Sequence, residues 1–171
     1  GDADAGVRLA RWATEDWLVV HAVHLESELP GTIAHNPRSN LNNAVGYAHP
    51  ARRSNRIVLG TDGIGADMAE EMRLAYVLQR SHDVTASPDD AWSWMLGGAS
   101  LVPEVEQDRV LWNYDHADSA WHVAFSPGVR ALDVVRGDGT VLLRDGCPTL
   151  VDLDEIRAKA AEAAQRLHSR L

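Results

Sequence analysis

Asp62 sits within RIVLGTDGIGAD, residues 56–67, where a short apolar run gives way to a glycine-rich turn. A carboxylate at such a junction is held by a rigid element yet reaches solvent, which suits a metal ligand or a proton acceptor. An Asp between glycines is also ordinary turn chemistry, so Asp62 alone decides nothing. Two upstream segments carry the same arrangement. WLVVHAVHL, residues 17–25, is a continuous apolar run of the buried-strand type that delivers His21 at its end and His24 three residues on. TIAHNPRSN, residues 32–40, is a second β-type run, ending in His35, Asn36, Pro37, Ser39 and Asn40. Imidazoles, with an unperturbed pKa near 6.5, move protons at neutrality and bind metals, while amides and hydroxyls donate the hydrogen bonds that orient them.

Three strand-like runs that each end in such residues read as neighbouring parallel strands at the C-terminal rim of a (β/α)₈ barrel. The following segment, Asp67 to Gln79, has helical spacing in Met68, Met72, Ala75, Tyr76 and Leu78, with Asp67 as N-cap and Glu70 as its capping partner. Ser87-Pro88-Asp89-Asp90 opens a further helix through Trp92 and Leu96 that ends at Gly97 and Gly98, and Trp92 and Trp94 are expected to pack rather than to form a cofactor platform. From Gly128 the pattern changes to short β-type runs separated by Gly137-Asp138-Gly139 and Asp145-Gly146, a hairpin or meander. Ile156, Ala160, Ala163 and Leu167 then fall on one face of a terminal helix, whose Arg157, Lys159, Glu162 and Arg166 form a solvated face. The expected organisation is an α/β barrel segment with its following helices over residues 1–127, a small β segment over 128–153 and a helix over 154–171.

Taken in order, HAVHL, HNPRSNLNNAVGYA and LGTDGIGADMAEEMRLAY resemble the last three barrel strands of the amidohydrolase superfamily, most of all its cytosine/guanine deaminase, chlorohydrolase and putative aminohydrolase branch. The resemblance is strong from about Trp17 to Arg80 and weaker beyond. It implies that Asp62 is the last-strand aspartate, a metal ligand that also handles the proton of the attacking water, and that His21 is the sixth-strand histidine beside that water. It implies that His35, Asn36, Ser39 and Asn40 form the seventh-strand turn that borders the substrate pocket and braces the site. On an extended strand, three residues from His21, His24 would face the other way and serve in packing. The implied chemistry is hydrolysis of a carbon–nitrogen bond in a heterocyclic small molecule, through a zinc or iron ion that makes water acidic enough to ionise near pH 7.

The same resemblance calls for ligands this sequence lacks. The family takes an HxH pair from the first strand, a histidine from the fifth and a nearby glutamate, yet the eight histidines contain no HxH and none has Glu three residues on. A complete (β/α)₈ barrel takes roughly 250 residues, and this chain has 171. The expectation is a C-terminal half that binds metal weakly by itself and works with a complementary N-terminal half or as a homo-oligomer. Two alternatives stand beside it: a self-sufficient α/β domain, for which this length suffices, and a catalytically silent interaction module.

Composition narrows the partners. A net charge of −9 and a pI near 5.2 offer no basic patch for a nucleic-acid backbone. The single cysteine, Cys147, excludes an intramolecular disulfide and a cysteine-based zinc cluster. No apolar stretch approaches the roughly 20 residues of a membrane helix, so no membrane is implied and the cytoplasm is the expected compartment. Gly60, Gly63 and Gly65 match neither a dinucleotide fingerprint nor a phosphate loop, and no GxSxG nucleophile elbow occurs.

Overall fold

The computed structural model describes residues 5–116 and 119–170. They form two compact units, one of residues up to Val102 together with 116–129, the other of 103–115 together with 130 onwards.

The first unit opens with a short helix, α1 (Ala5–Ala10), and contains a three-stranded parallel sheet of β1 (Leu18–Val20), β2 (Thr32–His35) and β3 (Arg56–Leu59), ordered β1-β2-β3. The register pairs Val19 with Ile33 and Ile33 with Ile57, so all three strands end at the same edge. Every position of the central β2 is buried, as its apolar composition requires for a strand covered on both faces. β1 departs from the expected continuous buried strand over 17–25. Only Leu18–Val20 is extended, and Leu18 and Val20 are 48% and 49% exposed on this edge strand. His21 still donates its backbone N–H to Ala34 O, but His21 and Ala22 then take φ of 67° and 51°, which turns the chain out of the sheet.

Each strand is followed by a turn or helix on the same side. Pro37, whose fixed φ suits a first helical turn, starts α2 (Pro37–Asn42) directly after β2. After the β3 turn comes α3 (Met68–His82), capped by Asp67 Oδ1, which accepts from Glu70 N at 3.1 Å. α4 (Pro88–Gly97) is capped by Ser87 and packs on β3, where a β-carbon at Gly97 would lie 3.3 Å from Ile57 O. α3 and α4 in turn pack against a helix formed by Ala120–Phe125, numbered α5. Ile33, Val58, Met72, Ala75, Ala91, Trp94 and Val123 form the core between sheet and helices.

The second unit is an antiparallel sheet, β4 (Arg109–Trp112), β5 (Ala131–Val135), β6 (Val141–Arg144) and β7 (Cys147–Pro148), in sequential order. β5, β6 and β7 are the meander legible in the turn residues, and β4 joins them from upstream. α6 (Leu153–His168) starts at Asp152, whose Oδ1 accepts from the N–H groups of Asp154 and Glu155 at 3.0 Å. Its apolar positions are not covered: Ile156 is 47% and Leu167 61% exposed. Among the described residues no helix is long and apolar enough to cross a membrane.

Candidate functional site

The turn after β1, the start of α2 and the turn after β3 enclose a recess lined by Val20, His21, Ser39, Asn40, Asn43 and Asp62. His21 Nε2 lies 3.6 Å from Asp62 Oδ2, with both side chains roughly two-fifths exposed. Asp62 is anchored on both oxygens: Ser39 Oγ donates to Oδ2 at 2.6 Å and Gly63 N donates to Oδ1 at 2.8 Å. The Ser39 hydroxyl, then the Gly63 amide, with a smaller influence from His21, hold the carboxyl below its ordinary pKa against partial desolvation, which would raise it. Asp62 is therefore ionised at neutral pH.

His21 is anchored from the other side of its ring. Its Nδ1 lies 2.9 Å from Asn40 Oδ1 and 3.3 Å from Asn36 Nδ2. Asn36, Ser39 and Asn40 are each at most 3% exposed, so these contacts are sheltered from water. Asn36 fits because residue 60 is glycine, since a β-carbon there would lie 2.3 Å from Asn36 Oδ1.

His35 is placed differently from the substrate-bordering position expected for it. It is fully buried, edge-on to Tyr47 and Trp94 at centroid distances of 5.9 and 6.4 Å, and does not line the recess. Neither ring nitrogen has a hydrogen-bond partner, and burial, aided by His21, lowers its pKa to about 4. Asn36 reaches the site through His21 and does not line the recess wall, which is built by Ser39 and Asn40. His24, expected to pack, is exposed at the recess margin because the left-handed backbone at His21 and Ala22 replaces the extended strand assumed for it.

Two residues outside the expected set hold the site together. Glu71 is fully buried, accepting from Arg38 Nε at 2.6 Å on one oxygen and from Arg38 N at 3.2 Å on the other. This ties α3, which follows Asp62, to α2, which carries Ser39 and Asn40. A carboxylate on the same helical stripe as Met72, Ala75 and Tyr76 was the signal available in the sequence.

Asp62, an anionic carboxylate with its direction fixed, fits as one ligand of a metal site with His21 beside it, but a catalytic zinc takes about three protein ligands. Among the described residues no group of three or more His, Cys, Asp and Glu could hold a metal ion. Among the described residues the donor set is thus incomplete.

No family model matches the chain. Curated relatives do: it is 32% identical over 184 residues to a 5-methylthioadenosine/S-adenosylhomocysteine deaminase of Desulforudis audaxviator, covering 88% of this chain and 43% of that protein. It is 31% identical over 176 residues to a 5'-deoxyadenosine deaminase of Methanothermobacter thermautotrophicus, covering 88% and 41%. Among solved structures, an adenosine deaminase from Xanthomonas campestris with bound zinc superposes with a TM-score of 0.76 at 23% identity, covering 95% of this chain and 45% of that one. An amidohydrolase from Brucella melitensis gives 0.67 at 18% identity, covering 92% and 43%. The chain therefore resembles amidohydrolase deaminases, as its three motifs imply, and spans less than half the length of these relatives. The structural likeness shows a shared fold of mixed helix and sheet over that portion.

Proposed function

We propose that this chain supplies the C-terminal barrel segment of a metal-dependent deaminase acting on an adenosine-like heterocycle, in a site completed by ligands from outside these 171 residues. The reaction replaces the exocyclic amine of the ring: water adds to the amine-bearing carbon, the carbon–nitrogen bond breaks and ammonia leaves. The observation that carries the reading is the facing pair His21 and Asp62 at the ends of parallel strands, each fixed from behind by residues of the HNPRSN turn. The deaminase names of the curated relatives support the substrate class.

In this reading Asp62 is one ligand of a zinc or iron ion, which when bound supplies Lewis acidity towards water. The Ser39 and Gly63 hydrogen bonds keep Asp62 anionic and fixed in direction. His21 Nε2 stands beside that carboxylate, where it exchanges a proton with water or with the departing amine. Ser39 and Asn40 form the substrate-side wall, while Asn36 and His35 brace it. The second unit, in the same reading, is part of a small β-domain, and the apolar positions left exposed on β1 are covered by the segment that completes the site.

The test is reconstitution. The chain is co-expressed with an N-terminal segment of a relative that carries HxH and HxxE, and ammonia release from 5'-methylthioadenosine and adenosine is measured with zinc present. Activity that needs both segments and is abolished by Asp62→Ala supports the proposal. The incomplete donor set favours a second reading, a catalytically silent module, which is supported if a well-folded complex neither retains zinc nor releases ammonia.

A further inference from the structure

We infer that Asn40, backed by Asn36 and Gly60, is a positioning residue that holds neutral His21 with its proton on Nδ1, so that Nε2 presents a lone pair to the recess it shares with Asp62. The inference rests on His21 belonging to the proposed site, but its evidence is local. His21 Nδ1 has two amide neighbours that make opposite demands. Asn40 Oδ1, at 2.9 Å, requires a proton on Nδ1, while Asn36 Nδ2, at 3.3 Å, would require a lone pair there. One nitrogen cannot do both, and the shorter contact lies at the usual hydrogen-bond distance while the longer lies outside the common range. Asn36 Nδ2 also approaches Ala34 O, at 3.5 Å, so neither of its contacts is a short one.

Asn40 is well placed to enforce this choice. It is 1% exposed, and its backbone N–H is bonded to Asn36 O while its carbonyl accepts from Val45 N, which fixes the main chain that carries the amide; the amide's own Nδ2 is buried and makes no hydrogen bond, so the contact to His21 is its single side-chain bond. The α2 turn that carries it is tied to α3 by the Arg38–Glu71 pair. Asn36 fills the space behind the ring only because Gly60 has no β-carbon. The two neutral imidazole tautomers differ little in intrinsic energy, so one sheltered hydrogen bond decides between them.

The consequence is directional. With the proton on Nδ1, Nε2 accepts from a water or from a substrate N–H or O–H in the recess. With the other tautomer, Nε2–H would point at Asp62 Oδ2, 3.6 Å away, and the two groups would engage each other.

The test is a long-range proton–nitrogen correlation spectrum of the imidazoles in the ¹⁵N-labelled, metal-free chain, recorded above pH 8 where imidazoles are neutral. His21 is assigned by the signals lost in His21→Gln. The expected result is a pyrrole-type Nδ1 and a pyridine-type Nε2, reversed or mixed in Asn40→Ala and retained in Asn40→Asp, which keeps the acceptor. Gly60→Ala, by displacing Asn36, shifts both ring signals. A pyridine-type Nδ1 in the unaltered chain overturns the inference, as does an Asn40→Ala chain that retains native backbone signals and the Nδ1 proton. If Asn40→Ala does not fold, the unaltered chain and Asn40→Asp still decide. No arm uses turnover or metal, so a failed reconstitution with the expected tautomer counts against the deaminase reading alone.

Discussion

His21 and Asp62 face each other across 3.6 Å, and both hold left-handed backbone, with φ of 67° and 51°. Such conformations cost a non-glycine residue on the order of 1–2 kcal/mol, and here they occur at the points where two strands of one sheet release the chain. The conformation swings each side chain off its strand line towards the same recess. The HNPRSN turn between them then bonds both, Ser39 to the carboxylate and Asn40 to the imidazole.

Ser39→Ala should raise the pKa of Asp62 towards an ordinary carboxylate value. The Ser39 hydroxyl is the largest of the influences holding it down, and the Gly63 amide remains after the substitution. A carbon-detected titration of the Asp62 carboxyl in both chains reads this directly. An unchanged midpoint would mean that the 2.6 Å bond does not persist in solution.

Stability should fall in mild acid because of His35. Its folded-state pKa of about 4 lies below the ordinary value of 6.5, so between these limits the unfolded chain binds a proton that the folded chain refuses. Stability is then complete above about pH 6.5 and declines towards pH 4, by about 3 kcal/mol from this residue. Urea unfolding at pH 7.5 and 4.5 should show that loss, and His35→Phe should remove most of the difference between the two pH values.

Local signals carried the legible parts of the fold. α3 and α4 follow from an N-cap, a helical apolar stripe and, for α4, a proline in the first turn, all within a few residues of one another. The meander follows from its Gly and Asp turns. What an apolar run cannot report is its neighbours: WLVVHAVHL looks like a central strand, yet β1 is a three-residue edge with exposed side chains. The left-handed backbone at His21 and Asp62 is equally invisible, since neither is glycine. Arg38 and Glu71 stand 33 positions apart, and only the packing of α2 on α3 brings them together.

Glu71→Ala should lower stability by about 2–3 kcal/mol. Removing one partner of a buried ion pair typically costs about 3–5 kcal/mol, and the estimate is reduced because Arg38 is one-third exposed. Glu71→Gln should cost less, since its amide oxygen can still accept from one Arg38 donor. Denaturant midpoints of the three chains give the order, and equal losses in both variants would show that the charge, rather than the acceptor, matters.

Substitutions at Asp62 should separate its backbone role from its chemical one. Asn tolerates left-handed φ nearly as well as Asp and keeps one oxygen to accept from Gly63 N, while its Nδ2 can donate to the Ser39 hydroxyl oxygen in place of the bond that Oδ2 accepts in Asp62, whereas Ala has none of these properties. Asp62→Asn should therefore unfold within about 0.5 kcal/mol of the unaltered chain, and Asp62→Ala about 1–2 kcal/mol below it. In the reconstituted protein the two should behave alike, both losing ammonia release, because neither supplies the anionic oxygen that the proposed metal site requires. Thermal unfolding and the ammonia assay on the same preparations make the comparison. An active Asp62→Asn variant would remove Asp62 from the proposed ligand set while leaving its structural role intact.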